Sequence, residues 1–288
     1  MTSLQSMPAA AWIVAAGVLG LLVGSFLNVV ILRLPARLLH GWQRDAREVL
    51  GLAPDAAEPP PGIVRQPSHC PKCKHTLAAR DNIPLVSWLL LRGRCRYCKA
   101  AVSVQYPLVE LLGCVASAVV AWKFGPTWQA VAALLFTWTL IAAAGIDLRT
   151  QLLPDQLTLP LLWLGLLVAL VPLFAGPRAA LEGAAIGYLA LWSVYWIFKL
   201  LTGKEGMGYG DFKLLAALGA GMGPLALLPI VLLSSLIGAI VGIIALRARG
   251  EDRSTPIPFG PFIAAAGWVW FVAGDRLYAA YLHFSGLQ

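Results

Sequence analysis

The chain has 288 residues, 59% hydrophobic and only 12% charged, with a net charge of +8 and a mean hydropathy of +0.74. A soluble domain carries about 25% charged residues. Half that value, spread between long apolar runs, excludes a water-soluble globular fold and points to an all-α polytopic membrane protein.

The apolar runs cover 11–32, 107–122, 127–146, 156–175, 179–198, roughly 211–222, 224–246 and 260–281. About 20 apolar residues cross the hydrocarbon core of a bilayer, so about eight transmembrane helices are expected. The run after Asp211 is short and Gly-rich, and its limits are the weakest. The first run is read as a retained span. No Lys or Arg precedes Arg33, and the run is too long for the apolar stretch of a cleaved signal.

Basic residues set the orientation. With the N-terminus outside, nineteen Lys and Arg fall in cytoplasmic segments and three, Lys123, Arg178 and Arg276, fall outside. Cytoplasmic loops carry the basic excess, so both chain ends are expected outside the cytoplasm and the segment 33–105 within it. Three regions follow: a first span over 1–32, a cytoplasmic loop over 33–105, and a helical core over 106–288. The loop holds twelve basic and five acidic residues. That charge suits topology and anionic lipid headgroups. Nucleic acid is not an expected partner, because no aromatic residues are interleaved as stacking surfaces.

The loop opens with an amphipathic stretch, "RLPARLLHGWQRDAREVLGL", and "PDAAEPPPG" then acts as a Pro-rich spacer. Beyond it, Cys70 and Cys73 form one CxxC, and Cys95 and Cys98 form another, with 21 residues between the pairs. Each CxxC offers two thiolates to one tetrahedral ion, and two such knuckles make a closed four-sulfur zinc site. Disulfides are rare in a cytosolic loop; redox thiols or disulfides are the competing readings. Four thiolates leave no position for a catalytic water, so the zinc is expected to be structural. It would fold a loop too small for its own core. Cys114 stands alone in the second span and reads as a small packing residue.

Acidic residues in or beside spans are few, and each is costly unless paired, protonated or facing water. They are Glu110, Asp147, Asp155, Glu182, Asp211 and Asp275. Topology puts Asp147, Asp155 and Asp211 at the inner face. Pro154–Asp155 reads as a turn and helix N-cap. Asp147 lies at a helix C-terminus, where the macrodipole disfavours negative charge; an ion pair with Arg149 is the plain alternative. Asp211 follows "GMGYG", whose glycines permit close packing or unwound backbone. Two carboxylates at one depth suggest an aspartic dyad, in which like charges keep one group protonated. The ionised group would take a proton from water and the protonated one would bond the amide carbonyl. An ion or proton pathway uses the same residue types and stays open at this point.

Four segments in order then resemble the type IV prepilin peptidases, the bifunctional leader peptidase/N-methyltransferases with a GxGD aspartic site. They are "GSFLNVVILRLP" (24–35), "CPKC…DNIPLVSWLLLRGRCRYC…QYPLVELL" (70–112), "IDLRTQLLPD" (146–155) and "GMGYGDFKLLAALGA" (206–220). The resemblance implies Asp147 and Asp211 as the catalytic pair and does not carry Asp155 over. It implies a bacterial inner-membrane enzyme whose substrates are type IV prepilins and type II secretion pseudopilins, cut after a glycine on the cytoplasmic side. It also implies methylation of the new N-terminus from S-adenosylmethionine. No Rossmann-type loop is present to bind that cofactor. Asn28, Arg33, Gly93 and Glu110 are the polar or turn positions of the signatures at the inner face and are the candidates to hold it. Asn28 and Glu110 equally suit hydrogen bonds between helices, and Gly93 equally suits a turn. The alternatives are another GxGD intramembrane protease, or a transporter or channel with a regulatory zinc loop. Transporters commonly carry internal repeats, and no convincing one is present.

Overall fold

A computed structural model describes residues 8–53, 58–64, 66–249 and 257–285. Residues 54–57 of the Pro-rich spacer, and Arg65 and Arg253 of the basic count, lie outside the described residues. Helices account for nearly all the regular structure, and no strand occurs among the described residues beyond two isolated bridges in the loop. The chain forms two compact units, Met1–Trp122 and Lys123–Gln288.

In the first unit, α1 runs Ala9–Val49 as one helix of 41 residues. At 1.5 Å per residue that is about 60 Å, twice the hydrocarbon thickness. The sequence places the loop's start at residue 33, where charge begins. The helix instead continues through Pro35, because an amphipathic stretch follows and the end of the apolar run is not the end of the hydrogen-bond ladder. Arg33 ties the helix to the loop by donating to the carbonyls of Gly62 (2.6 Å), Gln66 (2.9 Å) and Pro67 (3.2 Å). A 3₁₀ turn, Ala79–Asn82, and the short α2, Val86–Leu90, precede α3, Gln105–Phe124. Where α1 meets α3, Gly20 lies against Gly113 and Ser117, and Gly24 lies 2.8 Å, measured from an added Cβ, from Glu110 Cα. Small residues four apart let two backbones approach where no hydrophobic gradient drives association.

In the second unit, α4 is Trp128–Thr150, α5 Asp155–Ala169, α6 Pro177–Thr202 and α7 Tyr209–Met222. A 3₁₀ turn, Pro224–Ala226, leads into α8, Leu227–Arg249, and α9 is Gly260–Ser285. Thr127 caps α4 by accepting from the N–H of Ala130 at 3.2 Å. Gly203, in the left-handed region at φ 71°, ends α6.

A helix thus occupies each of the eight apolar runs. Among the described residues, five stretches are long and apolar enough to cross a membrane: α1, α3, α4, α6 and Pro224–Ile244. The helix α5, with 15 residues, is apolar but shorter. The 14 residues of α7, about 21 Å, fall short of a span, and nearly every residue from Asp211 to Gly221 is buried. A helix apolar all round belongs in an interior. Its neighbours α5 and α6 pack against it through glycine: Gly183 on Gly219, Gly187 on the Leu215 carbonyl, and Gly165 on Ala220. The helix α9 packs on α4, α8 and α7.

Candidate active site and metal centre

The two aspartates sit on α4 and α7 and both are buried. Asp147 lies in the last turn of α4, where Gln151 in the left-handed region closes the helix by donating its N–H to the Asp147 carbonyl. Its side chain has a partner that sequence reasoning missed. The backbone N–H of Gly260, the first residue of α9, donates to Asp147 Oδ2 at 3.0 Å in a buried setting. An orphan N–H at a helix N-terminus is a natural holder of a carboxylate. The break "PFGP" (258–261) before an apolar run was the available signal.

Asp211 occupies the first turn of α7, and its Oδ1 is buried with no hydrogen-bond partner among the described residues. The two carboxylates lie near enough for the charge of one to act on the other.

Leu153 links their surroundings. A Cβ added at Gly260 would meet Asp147 Oδ2 at 2.7 Å and Leu153 Cδ1 at 2.8 Å, and one added at Gly210 would run into Leu153. Gly210 precedes Asp211, so one buried leucine packs against both approaches to the pair. The glycines of "GMGYGD" therefore divide. Gly206 meets the ring of Phe198, Gly208 faces open space before α7, and Gly210 makes room for Leu153. The expectation that these glycines leave space for close packing holds for Gly210, and the packing partner is internal.

Asp155 does not cap its helix. Pro154 is the N-cap residue and makes no side-chain cap bond; Asp155 is the first helical residue and accepts from Lys213 Nζ at 2.6 Å. The proline sets the entry to α5, which frees the carboxylate to join α5 to α7.

In the first unit, Cys70, Cys73, Cys95 and Cys98 form a group whose sulfurs all lie within 4.8 Å of one another, so this set could hold a metal ion. Cys70 and Cys98 sulfurs are 3.7 Å apart. Zinc–sulfur bonds of about 2.3 Å in a tetrahedron put sulfurs about 3.8 Å apart. The two knuckles are copies of one turn. Cys70 N–H donates to the His75 carbonyl and Lys74 N–H to the Cys70 carbonyl, both at 2.9 Å. Cys95 N–H donates to Ala100 at 2.8 Å and Lys99 N–H to Cys95 at 3.0 Å. Lys74 and Lys99 both take φ near +59°, and the bridges His69–Thr76 and Arg94–Ala101 close both turns. The backbone N–H of Cys73, aimed at the Cys70 sulfur, brings that thiol down to about 6. A thiolate is the form a metal binds. Asp81 locks the second knuckle, accepting from Arg96 Nε at 2.6 Å and Tyr97 Oη at 3.2 Å. The Arg96 bond holds Asp81 below the usual carboxylate range.

The four residues considered for a cofactor are not gathered alike. Asn28 and Glu110 are neighbours at the α1–α3 crossing. Asn28 Nδ2 donates to the carbonyls of Tyr106 (3.0 Å) and Gly24 (3.3 Å), and its Oδ1 is buried without a partner among the described residues. Glu110 accepts from the Leu85 N–H at 2.8 Å. The two facing helices thus carry a half-satisfied amide and a carboxylate held by a loop N–H. Arg33 is engaged by loop carbonyls, and Gly93, at φ 67°, lies under the indole of Trp88. Those two shape the loop.

Residues 18–124 match the bacterial Peptidase A24 N-terminal domain, and residues 134–243 match the type IV leader peptidase family. The chain is 56% identical to a prepilin leader peptidase/N-methyltransferase of Xanthomonas campestris pv. campestris, over the whole of both chains. It is 54% identical to a protein of that name from Pseudomonas aeruginosa, over 96% of each chain. A third of that name, from Dichelobacter nodosus, is 48% identical over 91% of each. No solved structure matches the chain.

Proposed function

The chain belongs to the type IV leader peptidase family, and on that premise we propose that it removes the leader peptide of type IV prepilins and type II secretion pseudopilins and then N-methylates the new terminus. It is an integral protein of the bacterial inner membrane, built on the five long apolar stretches. The basic excess of 33–105 supports an orientation with that segment and the aspartates on the cytoplasmic side and the N-terminus outside.

Asp147 and Asp211 are the groups we assign to peptide cleavage. The observation that carries this assignment is a pair of buried carboxylates of unequal satisfaction. Asp147 is held by the Gly260 amide, while Asp211 keeps a buried oxygen free. A site with one fixed and one unpaired carboxylate can hold a water between them. The ionised member takes a proton from that water, and the water oxygen attacks the carbonyl carbon of the leader's terminal glycine. The protonated member bonds the carbonyl oxygen as charge develops there. Collapse breaks the C–N bond, with the proton passing to the leaving amine, and so releases the leader's carboxyl end and a free N-terminal amine.

S-adenosylmethionine, when bound, supplies the methyl group for that amine. Asn28 and Glu110 offer the oxygen acceptors for its cationic groups, with Arg33 and Gly93 fixing the loop beside them. The four thiolates are proposed to hold structural zinc. They saturate a tetrahedral ion, so its contribution is to the loop's fold.

The assignment of Asp147 gives Gly260 a testable part. In Gly260→Ala the added methyl sits 2.7 Å from the carboxylate oxygen, which must move. A displacement near 1 Å costs about 10²-fold in rate. Leader cleavage by Gly260→Ala is therefore expected to fall by about that factor, while methylation of a synthetic mature pilin N-terminus is unchanged. Equal loss of both activities would show general damage instead. The cut position tests the function itself. The purified protein with a pilin leader peptide should give one cut after the glycine by mass spectrometry; a cut within the apolar segment would favour an intramembrane protease of other specificity.

A further inference from the structure

The short helix α2 is anomalous for a basic, water-facing loop. None of its five residues is buried. Leu89 is 64% and Leu90 79% exposed, and Val86 and the preceding Ile83 are each about half exposed. Trp88 alone turns inward, donating its indole N–H to the Val102 carbonyl at 3.3 Å and covering Gly93. The turn is thus sided, with its indole on the loop and its aliphatic groups outward.

Its attachment shows where the outward face lies. The N–H of Leu85 donates to Glu110 at 2.8 Å. Glu110 is the sixth residue of α3, about 8 Å along a helix axis from its start. The start of α2 is therefore fastened beside the second turn of a span. Leu85 takes φ +58°, a conformation rare for a bulky L-residue, so the chain turns sharply at that bond. The span itself carries exposed Leu108, Leu111 and Leu112 in its first turns. Arg92 and Arg94 follow α2 directly, in the order of an apolar insertion backed by basic residues.

We propose that α2 is a membrane-interface anchor that inserts Val86, Leu89 and Leu90 into an anionic bilayer beside the end of α3. The occupant is lipid, because α2 is fastened to a lipid-crossing helix within that helix's first two turns and the charges behind it complement anionic headgroups. The anchor would fix the height of the metal-binding loop over the membrane.

The experiment uses the full-length protein in nanodiscs containing anionic lipid. A genetically encoded polarity-sensitive fluorescent amino acid replaces Leu90, or Val86 as a second site, or Lys72 on the first knuckle as a water-facing reference. Zinc content checks that each variant keeps the loop fold. At positions 90 and 86 the emission should be blue-shifted relative to 72, quenched by acyl-chain spin-labelled lipid and resistant to iodide. Iodide quenching without lipid quenching at both sites would overturn the proposal. So would protection that ignores spin-labelled lipid and disappears at one chain per disc, which would assign the face to a second copy.

Discussion

Asp147→Asn and Asp211→Asn are each expected to abolish leader cleavage while the protein still inserts and still methylates a synthetic mature pilin N-terminus. Asparagine keeps the shape of each buried side chain, and in Asp147→Asn the amide oxygen can still accept from the Gly260 N–H. What is lost is the ability to accept a proton from water or to donate one from a carboxyl group. A single general acid or base contributes about 10²–10⁴-fold. Groups that act as one unit lose activity together, so the double variant should be scarcely slower than either single one. Buried charge is also costly in its own right. The asparagine variants should accordingly resist heat at least as well as the parent, which separates lost chemistry from lost fold. Cleavage by either variant at the parent rate would remove that residue from the mechanism. Retained cleavage in Asp147→Asn would also remove the reason for the Gly260 effect, whereas a silent Gly260→Ala with inactive Asp147→Asn would remove only the positioning role.

Stripping the proposed zinc is expected to unfold the loop without dissolving the helical core. Cys70, Asp81 and Cys95 are buried side chains between the 3₁₀ turn and the two knuckles, and none is a large apolar group. Isolated bridges, not strands, join the knuckles' ends. Zinc in small peptides supplies about 10–16 kcal/mol of apparent folding energy, comparable with the whole stability of an ordinary domain of about 5–15 kcal/mol. Cys70→Ser with Cys95→Ser, or chelation, should abolish bound zinc and open residues 66–104 to protease. Products from the spans should stay intact. Cys114→Ser should leave zinc content unchanged, because Cys114 lies on α3 against Gly17 and outside the sulfur group. A loop that stays protected after zinc is stripped would contradict a structural metal.

Patterns carried by side chains were legible in the sequence. Each apolar run became a helix because a bilayer leaves the backbone few other ways to satisfy its bonds. The four cysteines met because two identical turns present them. Features made by backbone or by neighbours distant in sequence were not legible. Gly260 acts on Asp147 through an amide N–H, which every residue but proline has, so the break "PFGP" marked a turn but not the aspartate it holds. Asp155 looked like a cap because Pro-Asp before an apolar run usually is one, and only the fold brings Lys213 within 2.6 Å. The run after Asp211 looked like a weak span; it is a short central helix, made buriable by glycines on the helices around it. Charge marked where the loop's polarity begins at 33, and the helix ran on to Val49 because that change of polarity does not stop a helix.

The most direct test of the central claim is the intact mass of a prepilin coexpressed with this chain in a host lacking its own leader peptidase. The pilin should lack its leader up to and including the glycine and carry one added methyl on its new N-terminal residue. Coexpression with Asp147→Asn or Asp211→Asn should leave the full-length precursor. An unprocessed pilin beside the parent chain, or a processed one beside either variant, would contradict the account.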